Sequence, residues 1–234
     1  MTSRPVPIVA LDVPTLAEAR GLVARLGPQA DFFKVGLQLY TREGPAVVEW
    51  LRGDGKRVFL DLKLHDIPNT VRGAAASAAV LGVELLTVHA LGGARMVAAA
   101  VEGAGGPGSA TGILAVTVLT SFTDAEYGEA IGVTAVRTAD VVLRQAAMAA
   151  GQGARGVVCA GSEAAQVKAA QGETFGVLVP GIRRAGQASH DQTRVATPAD
   201  VRAAGVDWVV LGRAVTGDPD PAGAYAALVT ALQG

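Results

Sequence analysis

The 234-residue chain contains one cysteine, Cys159, and three histidines, at positions 65, 89 and 190. A lone cysteine excludes an internal disulfide framework and a cysteine zinc cluster. Its apolar neighbours Val157 and Val158 indicate a small buried side chain. The histidines are not spaced as metal ligands, so we expect no metal site.

Neither sign of charge is in excess, and the chain contains no long apolar run. Twenty basic and 21 acidic residues give a net charge of −1, so no global basic field favours nucleic acid, and any anion site must be local. Half of the residues are hydrophobic, but no run reaches the length of a membrane span. The first nine residues have no signal-peptide core. We therefore expect a cytoplasmic protein with no membrane or nucleic-acid partner.

What the sequence does contain is a regular alternation of short β-type runs and longer Ala-rich helical patterns. The predicted strands are roughly 7–13, 31–37, 57–64, 85–91, 111–119, 156–161, 175–181 and 208–213. The helical patterns are 15–26, 45–52, 71–81, 94–102, 136–150, 163–170, 198–204 and 222–232. Eight βα units without a composition break predict one α/β domain over 1–234, a (β/α)8 TIM barrel. A doubly wound open sheet has the same alternation and remains the alternative.

Polar residues share one parity in each of the first four predicted strands, and they come late in each strand. They are Asp12 in the first strand, Lys34 in the second, Asp61 and Lys63 in the third, and Thr87 and His89 in the fourth. Side chains two residues apart on a strand point to the same side. In a barrel these groups converge inside the C-terminal rim, where active sites of this fold lie.

The end of the third strand carries the densest chemistry. The apolar run 57–60 leads into Asp61-Leu62-Lys63-Leu64-His65-Asp66-Ile67-Pro68-Asn69-Thr70. Carboxylates on both sides of Lys63 favour its ammonium form, which makes it a proton donor rather than a Schiff-base nucleophile. The alternative is an ion-pair network that only closes the barrel, although such networks stabilise poorly compared with apolar packing.

The last two strands end in a pattern suited to phosphate. Gly181-Ile182-Arg183 follows strand seven and Gly212-Arg213 follows strand eight. Phosphates often bind to these loops in (β/α)8 enzymes, and arginine adds a bidentate contact. Surface arginines after tight turns are the alternative. The long polar stretch 184–197 resembles a lid.

After strand five, the segment Thr120-Ser121-Phe122-Thr123 offers hydroxyls to a ligand or to a helix cap, and the sequence leaves both possibilities open.

The decapeptide 61–70 closely resembles the signature of the orotidine 5′-phosphate decarboxylase family. The resemblance extends over nearly the whole chain through further fragments in order. These are Ala10-Leu11-Asp12, Phe33-Lys34-Val35-Gly36, Val116-Thr117-Val118-Leu119-Thr120-Ser121, Pro180-Gly181-Ile182-Arg183, Asp191-Gln192, Arg194-Val195-Ala196-Thr197-Pro198 and Gly212-Arg213.

The resemblance implies a barrel enzyme that converts orotidine 5′-phosphate to UMP and CO2 without a cofactor, the last step of de novo pyrimidine nucleotide biosynthesis. Lys63 would stabilise and protonate the C6 carbanion, and Asp61 would face the substrate carboxylate. Lys34 would join this charge network. It would also bind ribose hydroxyls together with Asp12.

The family likeness also implies a homodimer with shared active sites. Asp66 would act catalytically in the partner's site, and Thr70 would bind the partner's substrate. The remaining predicted substrate-binding residues are Ile67, Thr120 for the pyrimidine, and Arg183, Gln192, Gly212 and Arg213 for the phosphate and lid.

Two rival functions remain at this point. Magnesium-dependent sugar-phosphate decarboxylases and aldolases resembling 3-keto-gulonate 6-phosphate decarboxylase share the Asp-x-Lys-x-x-Asp core but carry a glutamate ligand at the end of strand two. This chain has Lys34 there, and a charged lysine cannot bind Mg²⁺. A non-catalytic nucleotide-phosphate-binding barrel would keep the phosphate residues but lose the acid–base cluster, whereas Asp61, Lys63 and Asp66 are all present.

Overall fold

A computed structural model describes residues 4–182 and 196–234. Arg183 and Gln192, and most of the predicted lid, lie outside these ranges. The described residues form eight strands: β1 Val6–Ala10, β2 Phe32–Gly36, β3 Arg57–Leu64, β4 Leu85–His89, β5 Gly112–Val116, β6 Gly156–Val158, β7 Gly176–Val179 and β8 Trp208–Leu211. The helices in the same ranges are α1 Leu16–Leu26, α2 Leu37–Glu43, α3 Ala46–Gly53, α4 Pro68–Val80, α5 Gly93–Gly103, α6 Asp124–Ile131, α7 Thr138–Gly151, α8 Gly161–Gln171, α9 Pro198–Ala203, α10 Arg213–Thr216 and α11 Pro221–Gln233.

The strands close into a parallel barrel in chain order. The closure is made by β1 and β8, which pair from Val6 with Trp208 to Val9 with Leu211. The predicted (β/α)8 barrel is therefore confirmed. The doubly wound alternative is wrong, because an open sheet would leave two unpaired edges.

The hydrophobic core has two layers that follow strand parity. The inner layer fills the barrel with Ile8, Ala10, Phe32, Phe59, Leu85, Leu114, Leu178 and Val210. Residues of the other parity, such as Val9, Phe33 and Leu60, pack outward against the helices. Both layers are apolar along most of each strand. Apart from Arg57, which lies over the Phe32 ring at the opposite end of the barrel, the polar inward positions of the first four strands lie toward the C-terminal rim, where the sequence predicts them.

Several predicted boundaries were wrong at this rim. β1 ends at Ala10 rather than at residue 13, and β5 ends at Val116 rather than at 119. Apolar residues continue into the loops there, so composition does not mark the end of the ladder. Three short helices, α2, α6 and α10, were not predicted. Within the described ranges, no helix is long and apolar enough to cross a membrane.

Candidate active site

An irregularity between β3 and β4 builds the centre of the site. Leu60 pairs with Leu86 and Leu64 pairs with Val88. Three residues of β3, at 61–63, therefore stand opposite the single residue Thr87. Within this bulge Lys63 has a φ of 49°, in the left-handed region that non-glycine residues seldom adopt.

Four charged side chains, from the loop after β1, from β2 and from β3, form a continuous chain inside the rim. Lys34 Nζ lies 2.8 Å from Asp12 Oδ1 and 3.7 Å from Asp61 Oδ2. Lys63 Nζ donates to both oxygens of Asp61, at 2.8 and 2.9 Å. The charges alternate in sign along this chain, so each carboxylate lies beside an ammonium group. We call these four residues the charge chain.

Asp61 is the most enclosed carboxylate of the charge chain, with its side chain 12% exposed. Burial alone would raise the pKa of this carboxyl, but the charges of Lys34 and Lys63 outweigh burial. Hydrogen bonds from Lys63 and Thr87 act in the same direction, and the pKa of Asp61 lies below its ordinary value. Asp61 is therefore a fixed anion at neutral pH.

The charge chain forms one side of a cavity of about 500 Å³ at the rim. Gly212 and Arg213 also line it, as does Thr120 after β5. Apolar side chains close the cavity between these polar groups: Phe59, Val116, Val158, Leu178 and Val210. The cavity thus combines an acid–base cluster, a hydroxyl and an arginine with an apolar surface between them. This combination suits a small phosphorylated molecule.

Three residues of the decapeptide do not line the described part of this cavity. Asp66, Ile67 and Thr70 are exposed, and the Ile67 side chain is 68% exposed. Asp66 Oδ1 accepts a hydrogen bond from the Ile67 backbone N–H at 2.6 Å. The structure therefore separates these three from Asp61 and Lys63 of the same chain.

The segment after β5 reaches the cavity at one residue and caps a helix at another. Thr120 lines the cavity. Thr123 caps α6: its hydroxyl accepts from the Glu126 backbone N–H, and the Glu126 carboxylate accepts from the Thr123 backbone. The segment therefore serves the cavity at one end and a helix at the other.

Two neighbours of the charge chain were not predicted as site residues. Thr87 is fully buried and contacts both Asp61 and Lys63. At Gly36, an added methyl group would lie 2.9 Å from Lys34 Nζ and 3.2 Å from Asp12 Oδ1. The inward parity of Thr87 predicts its place at the rim but not its contacts, and no sequence signal reveals the crowding at Gly36.

His89 extends the polar rim beyond Thr87 on β4. Its ring centroid lies 5.6 Å from that of His65. Burial lowers the pKa of the His89 imidazole, and the nearby His65 and Lys63 act in the same direction. We therefore expect His89 to be neutral at physiological pH.

The chain matches known proteins along almost its whole length. The model of the orotidine 5′-phosphate decarboxylase / HUMPS family matches residues 5–228. The chain belongs to this family. The predicted family resemblance is thereby confirmed.

Individual members of the family show how close the match is. The orotidine 5′-phosphate decarboxylase of Anaeromyxobacter sp. (strain K) is 52% identical over 223 residues, covering 95% of this chain and 96% of the relative. That of Bacillus caldolyticus is 46% identical over 225 residues, covering 94% and 92%. The crystal structure of orotidine 5′-phosphate decarboxylase from Lactobacillus acidophilus superposes with a TM-score of 0.87 at 38% identity, covering 99% and 100%.

Among the described residues, no group of three or more His, Cys, Asp or Glu side chains is placed to hold a metal ion. At the end of β2, Lys34 occupies the position where a glutamate ligand is expected in the magnesium-dependent relatives. Its ammonium lies between two carboxylates.

Proposed function

We propose that this protein converts orotidine 5′-phosphate to UMP and CO2, and so completes pyrimidine nucleotide synthesis. The observation that carries the proposal is the charge chain Asp12–Lys34–Asp61–Lys63 inside a cavity that also holds Arg213. The named relatives at about half identity support the same reaction.

The chemistry needs positive charge placed before the reaction begins. When the C6–carboxylate bond breaks, its electron pair stays on C6, where no adjacent group can delocalise it. A fixed ammonium stabilises that charge in a site with little water. We assign this role to Lys63, which then transfers a proton to C6 to give UMP.

The substrate carboxylate would enter beside Asp61, which is already ionised. Repulsion between the two carboxylates favours loss of CO2, because the negative charge then moves from the substrate carboxylate to C6, away from Asp61 and toward the Lys63 ammonium. When the bond to CO2 breaks, the Lys63 ammonium interacts with the electron pair on C6 in place of one of the two Asp61 oxygens to which it donates.

The other parts of the nucleotide match the rest of the cavity. We assign the ribose hydroxyls to Asp12 and Lys34, the pyrimidine to Thr120, and the phosphate to Gly212 and Arg213. Arg183 and Gln192 are proposed as further phosphate and lid residues. Phosphate binding far from C6 supplies free energy that can hold the substrate carboxylate against Asp61.

The test is the loss of orotate-ring absorbance when purified protein is mixed with orotidine 5′-phosphate, with and without EDTA. We expect full activity in both. Activity that disappears with EDTA and returns with Mg²⁺ would point to the metal-dependent branch of the family. UMP binding without any turnover of orotidine 5′-phosphate would indicate a non-catalytic barrel.

We also propose that the enzyme is a cytoplasmic homodimer with shared active sites. Asp66, Ile67 and Thr70 are exposed after β3, and the large exposed side chains Leu37 and Leu91 follow the neighbouring strands β2 and β4. Exposed apolar side chains after three adjacent strands suit burial against a second copy. Asp66 and Thr70 would then complete the partner's site.

Hybrid dimers test this sharing of residues. Lys63→Ala and Asp66→Asn chains with different tags are co-expressed, and only the hybrid is purified through both tags. Each hybrid has one site with both residues intact, so about half of the wild-type activity is expected from two nearly inactive parents. A hybrid as inactive as its parents would show that Lys63 and Asp66 act from the same chain.

A further inference from the structure

Thr87 lies behind the charge chain, on the inner face of β4. Its side chain is fully buried, and it is not among the described residues that line the cavity. Its hydroxyl therefore has no direct route to a bound nucleotide. Any effect on the reaction must pass through the residues it contacts.

The hydroxyl contacts both Asp61 and Lys63. Thr87 Oγ1 lies 2.9 Å from Asp61 Oδ1 and 2.9 Å from the Lys63 backbone nitrogen. A backbone N–H can only donate and an ionised carboxylate can only accept. The proton of the hydroxyl is therefore directed to Asp61, and one of its lone pairs accepts the N–H of Lys63.

These two bonds occur where the sheet is least regular. Residues 61–63 bulge opposite Thr87, and the backbone of Lys63 is left-handed. Such a conformation is unfavourable for a residue with a side chain and persists only where its surroundings hold it. The bond to the Lys63 N–H supplies such a contact inside the bulge.

We propose that Thr87 is a positioning residue for the decarboxylation, holding the Asp61 carboxylate and the Lys63 backbone in one fixed relation. This inference rests on the proposed function of Asp61 and Lys63. Lysine has a long flexible side chain, so its ammonium is placed accurately only if its backbone and its carboxylate partner are both fixed. Thr87 connects these two fixed points through one oxygen atom.

The test compares Thr87→Val, which keeps the shape but removes the hydroxyl, with Thr87→Ser, which keeps the hydroxyl. We expect kcat to fall about 10- to 100-fold in Thr87→Val, with KM changed less than about threefold, because the hydroxyl orients reacting groups without touching substrate. Thr87→Ser is expected to recover kcat to within about threefold of wild type.

The second readout is the pKa of the Asp61 carboxyl. The charged neighbours of this carboxyl are Lys34 and Lys63, and the half-buried His89 is the titratable group farther along β4. A hydrogen bond to a carboxylate lowers its pKa. Removing the hydroxyl should therefore raise the pKa of Asp61 and move the acid limb of the kcat profile to higher pH. This shift is expected in Thr87→Val and not in Thr87→Ser.

Thr111→Val is the matched control. Thr111 is a buried threonine whose hydroxyl donates to the Val83 carbonyl at 2.6 Å, just before β5. The same chemical change there should lower Tm while leaving kcat and the pH profile as in wild type. If Thr87→Val also lowers only Tm, Thr87 is merely structural and the inference is wrong.

Failure of the proposed function is recognised separately. If wild-type protein and Thr111→Val both fail to consume orotidine 5′-phosphate, the proposed reaction is refuted. A ¹³C NMR titration of the Asp61 carboxyl still tests the positioning role without turnover. A raised pKa in Thr87→Val alone supports it, and equal values in all variants overturn it.

Discussion

Replacing Lys63 with alanine removes the ammonium that donates two hydrogen bonds to Asp61. The fold should survive, because Asp61 keeps its hydrogen bond from Thr87 and its ion pair with Lys34. The proposed substrate contacts at Gly212 and Arg213 are also untouched. The change therefore isolates the chemical step from folding and from phosphate binding.

The size of the effect follows from two roles of the same group. At an effective dielectric constant of about 20, unit charges about 4 Å apart interact by about 4 kcal/mol, or roughly 10³-fold in rate. Loss of a general acid costs a further factor of about 10² to 10⁴. The Lys63 side chain is 30% exposed, so we reduce the first contribution to about 10²-fold for solvent screening and combine it with the low end, about 10²-fold, of the second. The expected fall in kcat is at least about 10⁴-fold.

The assay is single-turnover loss of orotate-ring absorbance, with UMP affinity measured on the same preparation. UMP affinity should change less than about tenfold, because UMP lacks the carboxylate and the reacting charge. A Lys63→Ala variant that keeps kcat within about 100-fold of wild type would refute the role of Lys63 as proton donor.

Chemical restoration of the ammonium provides the control. Lys63→Cys treated with 2-bromoethylamine carries an amine at nearly the length of lysine. The natural cysteine, Cys159, is 1% exposed, so the reagent should select position 63. Activity should return after treatment of Lys63→Cys and not after treatment of Lys63→Ala. A treated Lys63→Cys protein with one amine added and no recovery would contradict the argument.

Three further outcomes are expected. Arg213→Ala should raise KM about 10- to 100-fold through loss of a charge-assisted phosphate contact, and an unchanged KM in steady-state assays would exclude that contact. The pKa of Asp61 is lowered in the folded protein, so its ionised form stabilises the fold above an unfolded pKa of about 3.9, and this stabilisation is lost as pH falls through the folded pKa. Urea unfolding should therefore show a steeper loss of stability from about pH 5 to pH 3 in wild type than in Asp61→Asn, and equal slopes would contradict the assigned shift. A methyl group at Gly103 of α5 would overlap the carbonyl oxygen of Arg72 in α4. Gly103→Ala should therefore lower the free energy of unfolding by about 2 kcal/mol and Tm by about 4–8 °C without changing kcat. A Tm equal to that of wild type would show that the two helices can move apart at no cost in free energy.

Strand parity explains why much of the site could be predicted from sequence. Lys34 and Asp61 interrupt otherwise apolar strands, and in a barrel their parity leaves them only one place to point. The same reasoning does not extend past the ends of the strands. Asp66 follows β3 in a segment without a repeating pattern, so only the family resemblance assigns it to the partner's site.

The bulge in β3 shows why parity was successful even where the ladder is irregular. Between the pairs Leu60–Leu86 and Leu64–Val88, β3 has three residues and β4 has one. The excess is two residues, an even number, so the alternation of inward and outward side chains stays in phase across both strands. A one-residue insertion would have reversed every side chain beyond it and turned Lys63 toward the helices.

The bulge therefore places two inward charged residues opposite one inward hydroxyl. Strict alternation could not do this, because β4 would then have set an inward residue of its own opposite Lys63. The sequence contains no sign of this insertion, since it depends on the left-handed backbone of Lys63 and on its contact with Thr87.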